Sequence, residues 1–138
     1  MPFVTDFFPW VKTRAALAAI LGGADRPAFY YGAAPQGAVK PYVVWTLTAQ
    51  PGHPHMTGVS RIEDPSLVLD AFGDTGLAAR ALADALDAEL NGYRGLMGST
   101  QIRRIFRTSI VDLPRLRADA GQSIEFRTRC EYTVWYAT

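Results

Sequence analysis

The sequence predicts an α+β fold: an antiparallel sheet with two helices packed on one face, ending in a long C-terminal β-hairpin. Three observations predict it. Near the C-terminus Ile124, Phe126, Cys130, Tyr132, Val134 and Tyr136 fall on one side of the chain with Thr128, while Ser123, Glu125, Arg127, Arg129, Glu131 and Thr133 fall on the other. That period of two is the signature of half-buried antiparallel sheet. Residues 76–90 instead repeat apolar side chains at helical spacing, and residues 41–48 are almost all β-branched or aromatic.

Taken in order, the elements run α–(β)–β–β–α–β–β, which places the helices over an antiparallel sheet. A short helix is expected from residue 6 or 7 to 21, where Phe8, Val11, Ala15, Ala18 and Leu21 recur at helical spacing. Pro9 suits its first turn, and Gly22-Gly23 stops it. A turn-rich connector follows from 22 to 40, with Phe29-Tyr30-Tyr31 as a possible short strand inside it. Pro41 opens the strand 41–48. Residues 50–60 hold two prolines and two glycines and read as a long loop. A strand at 66–72 leads to Asp74 or Thr75 as the cap of the second helix, whose stripe is Leu82, Leu86 and Leu90 with Leu77, Ala78, Ala81 and Ala85. Arg80 and Asp84 are spaced to pair on its other face. Asn91-Gly92 ends it. Strand 100–112, a loop at 113–121 and the alternating last strand complete the hairpin.

Length and composition place all of this in one domain. The chain has 138 residues, of which 49% are hydrophobic and 20% charged. A domain of this length buries roughly two-thirds of the surface its unfolded chain exposes, so it folds without a disulfide or structural metal. Its single cysteine, Cys130, cannot form an internal disulfide, and no apolar run is long enough to span a bilayer or to serve as a signal peptide. A cytoplasmic origin is expected. Net charge is +1, which carries no global nucleic-acid signal. Residues 1–93 nevertheless hold six basic and nine acidic side chains, a net of −3, and residues 94–138 hold eight and four, a net of +4. This split is either scatter over two solvated surfaces or one acidic and one basic face that meet across a subunit contact.

The residues offer little to catalysis. His53 and His55 are the only histidines, and no cysteine or carboxylate lies near them in sequence to complete a metal site. Cys130 sits on the apolar side of its strand, where a thiol is an inert hydrophobe. Gly73-Asp74-Thr75-Gly76 lacks the lysine and glycine spacing of a phosphate loop. Arg103, Arg104 and Arg107, with Arg127 and Arg129, put basic side chains beside Phe106, Phe126 and Tyr132. The aromatics are out of phase with Arg127 and Arg129, and Glu125 and Glu131 share the arginine face, which argues against an RNA platform. No enzyme activity, cofactor or metal is expected.

The stretch Phe29-Tyr30-Tyr31-Gly32-Ala33-Ala34-Pro35-Gln36-Gly37, followed by Pro41-Tyr42-Val43-Val44, resembles the tail-completion, or tail-terminator, proteins of long-tailed bacteriophages and related prophages. The likeness extends in order over residues 7–21, 29–37, 41–48, 66–72, 76–90 and 100–136. It departs at Glu63-Asp64-Pro65, where the family often has a longer strand, and at the long 113–121 loop. The resemblance implies a structural virion protein that assembles in the host cytoplasm as a homohexameric ring. Such a ring caps the head-proximal end of the tail tube, ends tube growth and binds the head-side connector, or stopper, protein. DNA passes through its lumen without sequence-specific binding. No membrane partner is implied. In such a ring Arg103, Arg104 and Arg107 are candidates to meet Asp84, Asp87 and Glu89 of a neighbour, and Gln50, His53, His55 and Met56 are candidates for a loop that contacts the tail tube. A small α+β ligand- or nucleic-acid-binding module is the alternative function class.

Overall fold

The computed structural model describes residues 2–20, 28–33, 35, 41–49, 54–55, 58–59, 62–63, 65–113, 115–116 and 124–137. Three helices, α1 (Pro2–Lys12), α2 (Ala15–Ile20) and α3 (Gly76–Leu90), accompany the strands β1 (Phe29–Tyr31), β2 (Tyr42–Ala49), β3 (Pro54–His55), β4 (Gly58–Val59), β5 (Ile62–Glu63), β6 (Ser66–Gly73), β7 (Gly95–Met97), β8 (Thr100–Asp112), β9 (Arg115–Leu116) and β10 (Ile124–Ala137). The main sheet runs β1-β2-β6-β10-β8-β7, with β5 and β9 also pairing on β10.

This corrects the expected antiparallel sheet with two helices. Among the described residues about half lie in strands, the sheet is mixed and curled into a half-barrel, and there are three helices. The mixture comes from β1, which runs parallel to β2 with Phe29, Tyr30 and Tyr31 opposite Val43, Val44 and Trp45. Parallel neighbours need a crossover, and the segment between Tyr31 and Tyr42 is long enough to bring the chain back to the starting end of β1. The curl follows from register shifts that composition does not reveal. Along β8 one extra residue, Thr108, falls between the partners of Glu131 and Tyr132, and another, Arg103, between those of Trp135 and Tyr136. Such bulges bend a strand and increase its twist.

The extra helix has a local cause. The first helix starts at Pro2, ahead of the expected residue 6 or 7, so that Pro9 lies inside it instead of in its first turn. Phe3, Phe7, Trp10 and Val11 form its buried stripe, and their burial outweighs the proline. At Thr13 the helix stops. Thr13 donates both its amide (3.0 Å) and its hydroxyl (2.6 Å) to the Trp10 carbonyl, and the Arg14 amide donates to the Val11 carbonyl at 3.0 Å. These three-residue closures tighten the last turn, and α2 starts afresh at Ala15. Helix α3 occupies the span expected, capped by the Thr75 hydroxyl, which accepts from the Ala78 amide at 3.0 Å. Gly73 precedes it because a Cβ there would lie 2.5 Å from the Ala79 nitrogen.

One core joins the helices to the sheet. Phe3 stacks on Phe7 (5.0 Å) and Tyr136 (5.9 Å), and Phe7 meets Trp45 (4.9 Å) and Phe29 (5.5 Å) edge-on. Leu82, Leu86 and Leu90 of α3 pack into the same cluster as Leu67, Leu69, Cys130, Tyr132 and Val134. Pro65 divides what would be one long strand: β5 and β6 both pair with β10, and the Pro65 carbonyl accepts from the Val134 amide at 3.1 Å between them. The 113–121 loop is shorter than expected at its start, because Arg115 and Leu116 pair with Glu125 and Ile124.

Asp6 ties α1 to the β7–β8 turn. Its Oδ2 accepts from the Thr100 hydroxyl (2.6 Å), the Ser99 hydroxyl (3.1 Å) and the Ser99 amide (3.2 Å). Gly98 in that turn has φ +61, and a Cβ there would come within 2.8 Å of the Asp6 carboxylate. The Thr100 hydrogen bond, and after it those from Ser99, hold the Asp6 pKa below the ordinary carboxylate value against the opposing effect of burial. Because this carboxyl ionises more readily folded than unfolded, its contribution is complete above pH 4 or so and is lost as pH falls through the lowered folded value. Asp6→Ala should therefore destabilise the fold by about 1–3 kcal/mol at pH 7. The gap between variant and parent should shrink in acid, as measured by urea denaturation at pH 7 and at pH 3.

Candidate interaction surface

The acidic candidates are engaged within the subunit. Asp87 accepts from the Arg107 guanidinium at 3.1 Å and from the Tyr132 hydroxyl at 3.1 Å, while the Arg107 amide donates to Asn91 Oδ1 at 3.0 Å. Burial, ahead of the neighbouring Cys130 and Asp87, raises the pKa of Tyr132 and keeps it a neutral donor. Glu89 lies 3.9 Å from Arg14, whose guanidinium stacks over Trp10 (4.4 Å) and Tyr93 (5.3 Å) at the break between α1 and α2. Asp84 pairs with Arg80 at 3.5 Å in the spacing the sequence suggested, and Arg80 also reaches Asp112 at 3.4 Å. Arg107, Asp87 and Glu89 thus each have an ion-pair partner within their own subunit.

Arg103 and Arg104 remain turned outward. Arg103 is the extra residue of a bulge, is exposed, and has no ion-pair partner among the described residues. Arg104 lies across from Trp135 and stacks over the Phe106 ring at 4.6 Å. Phe106 is therefore exposed, unlike Tyr132, which is buried. The bulge at Thr108 shifts the alternation, placing Phe106 opposite Thr133 and Arg107 opposite Tyr132. The rest of the basic face is largely neutralised. Arg129 grips Asp70 through two hydrogen bonds of 2.9 and 3.3 Å, which raises its pKa, and Arg127 lies 4.0 Å from the same carboxylate.

Of the loop candidates, Gln50, His53 and Met56 lie outside the described residues. His55 is in β3, whose Pro54 and His55 pair with Val59 and Gly58 of β4. Residues 50–60 therefore contain a small hairpin where only irregular chain was expected. Cys130 is fully buried, and burial pushes its thiol up to about 11, so it is packing and not a nucleophile. Among the described residues no group of acidic, histidine or cysteine side chains is placed to hold a metal ion, and no helix is long and apolar enough to cross a membrane.

Sequence reasoning missed a surface at the opposite end of α3. Leu77, assigned to the helix's apolar stripe, is 86% exposed. The buried stripe is Ala79, Leu82, Ala83, Leu86 and Leu90. Leu77 lies five residues before Leu82, about 140° around the helix, which was the available signal. Beside it a cleft of about 450 Å³ opens between the start of α3 (Thr75, Gly76, Leu77, Arg80) and the ends of β8 and β10 (Asp112, Phe126). Its apolar walls and neutralised Arg80–Asp112 pair suit an uncharged, bulky side chain better than an ion.

No curated protein matches the chain. Among solved structures, a chain in the virion of a native gene transfer agent particle is similar, at 20% sequence identity and a TM-score of 0.61. The match covers 95% of this chain and 91% of that one, and at this identity it shows a shared fold. The family model described as tail completion protein gp17 matches residues 6–131, from the Asp6 clamp to the middle of β10. With the match extending over nearly its whole length, the chain belongs to the tail completion protein gp17 family of phage tail structural proteins.

Proposed function

We propose that this protein works by assembly and not by catalysis, closing a ring of six copies on the head-proximal end of a phage tail tube. There it ends tube growth and receives the head-side connector, with DNA passing through the lumen. The observation that carries this reading is the family match over residues 6–131. The surface is consistent with it. Exposed apolar side chains lie at separate places, Leu77 on α3, Tyr31 at the end of β1 and Leu96 on β7, as a head-to-tail contact between unlike patches requires. Electron microscopy of assembled tails should reveal a sixfold ring at the head-proximal end, and a twofold or asymmetric arrangement would overturn the ring.

Charge contributes to this assembly through the side chains left outward. Arg103 and Arg104 face a neighbour's acidic surface, where Asp84 is the exposed member of the original acidic set. Each exposed pair is worth about 0–1 kcal/mol, so the effect falls mainly on association rate and register. Reversing Arg103 and Arg104 to Glu should slow assembly and reduce its salt dependence while leaving the monomer's thermal unfolding unchanged. Asp84→Lys in that background should restore part of the rate in stopped-flow light scattering. Residues 50–60 contact the tail tube in this reading. Shortening that segment should leave the domain folded but lower the yield of joined, infectious particles, and an unchanged plaque count would reject the contact.

A further inference from the structure

Strand β8 is thirteen residues long, but its outer edge is only partly covered. Strand β7 pairs with Thr100, Gln101 and Ile102. The turn after α3 covers the next stretch: the Gly92 amide donates to the Ile105 carbonyl, the Ile105 amide to the Tyr93 carbonyl, and the Arg107 amide to Asn91 Oδ1. From 108 to 112 no strand covers that edge among the described residues. Open edges are normally guarded by charge, proline or brevity. This one carries Ile110 and the 46% exposed Val111, and its single charge, Asp112, is already held by Arg80. The edge ends at the cleft beside Leu77, because Asp112 lines that cleft.

The opposite end of the same sheet has a complementary form. Strand β1 is terminal in the strand order, and among the described residues only β2 pairs with it. Tyr31 closes this strand, 58% exposed, with its ring 4.6 Å from that of Trp45. Trp45 belongs to the core shared with the helices, so Tyr31 lies on the helix-bearing side of the sheet. The cleft is on that side too, since α3 forms one of its walls. Two edges of one sheet joined end to end keep their faces aligned, so both features meet across such a joint on the same side.

We propose that β1 of a second copy adds to the open 108–112 edge of β8, and that the second copy's Tyr31 enters the cleft between Leu77 and Phe126. Main-chain hydrogen bonds supply the pairing, and the cleft supplies the selectivity, as in other cases of strand addition. The contact joins unlike patches, repeats head to tail, and turns separate sheets into a continuous one. It rests on the ring reading and specifies its interface. The cleft is chiefly apolar, and its charged members lie beside opposite charges, Arg80 with Asp112 and Arg127 with Asp70, so it favours an aromatic side chain over an acidic or basic one. The three residues of β1 match the part of the edge nearest the cleft.

The test uses the full chain with Ala33→Cys and Ala78→Cys combined, exposed positions beside Tyr31 and Leu77 that leave both contact side chains in place, while the buried Cys130 stays out of the reaction. A short bismaleimide should link the double variant into a ladder of covalent oligomers, whereas each single variant should not form one. In the parent protein, amides 108–112 should exchange at least about tenfold more slowly in the oligomer than in the monomer. Val111→Lys, a guard of the kind open edges usually carry, should weaken assembly at least about tenfold with an unchanged unfolding transition. Analytical ultracentrifugation separates the two readings. Oligomers without the cross-link and without amide protection would overturn the strand addition and leave the ring standing. A chain that stays monomeric even with tail tubes present would overturn both.

Discussion

Strand β10 is hydrogen-bonded to β6 along one edge and to β8 along the other, and it takes up β5 and β9 beyond their ends. Its inward side chains, Thr128, Cys130, Tyr132, Val134 and Tyr136, are all fully or almost fully buried. A shift of one residue would exchange that row for Arg127, Arg129, Glu131, Thr133 and Trp135, so the register is strongly fixed. Tyr132 adds a directional constraint, since its buried hydroxyl needs an acceptor and finds Asp87. That bond positions α3 over the sheet, and Arg107 on the next strand completes the link. One buried tyrosine hydroxyl thus gathers a carboxylate from α3 and a guanidinium from β8 into one network.

The same network explains why the charge split in the sequence is larger than the charge split on the surface. Arg107, Arg127 and Arg129 belong to the basic hairpin, yet their partners, Asp87 and Asp70, come from the acidic part of the chain. Much of the imbalance between −3 and +4 is therefore cancelled by folding. Removing one member of these partly buried pairs would leave its partner poorly compensated, whereas the outward Arg103 and Arg104 carry no such penalty.

Period and propensity made much of the fold legible. Helix α3 and strand β8 have the spans read from the sequence, because Leu82, Leu86 and Leu90 repeat at helical spacing and residues 100–112 are rich in β-branched and aromatic side chains. Relations between elements were not legible. Nothing in Phe29-Tyr30-Tyr31 states that it pairs parallel, and no residue type announces that Arg103 and Thr108 are bulged. The break at Thr13 depends on a side-chain hydroxyl competing for the Trp10 carbonyl, a choice that threonine makes in some contexts only. For the surface, the sequence named charged residues, since charge is what a sequence displays. The exposed Leu77 was hidden by its own chemistry: a leucine beside a leucine stripe is assigned to the core until its angle around the helix is counted.

A sheet whose two ends are open among the described residues faces opposing demands. In a monomer the ends invite uncontrolled pairing, and an assembling protein cannot simply block them if they are to be used. The bulges of β8 offer a way to satisfy both. They fall at Arg103 and Thr108, one beside the stretch covered by β7 and one where the open edge begins. Each twists the strand locally, so a flat, extended partner cannot follow β8 along its whole length. What stays regular between the second bulge and the end of the strand is short and finishes at the cleft beside Leu77. A short edge binds weakly by itself, so a contact there needs an anchoring side chain, and an anchor restricts which strand can bind. On β8, then, the extra residues that add curvature also limit the length of its open edge, while a further bulge at Thr48 bends β2 against β6.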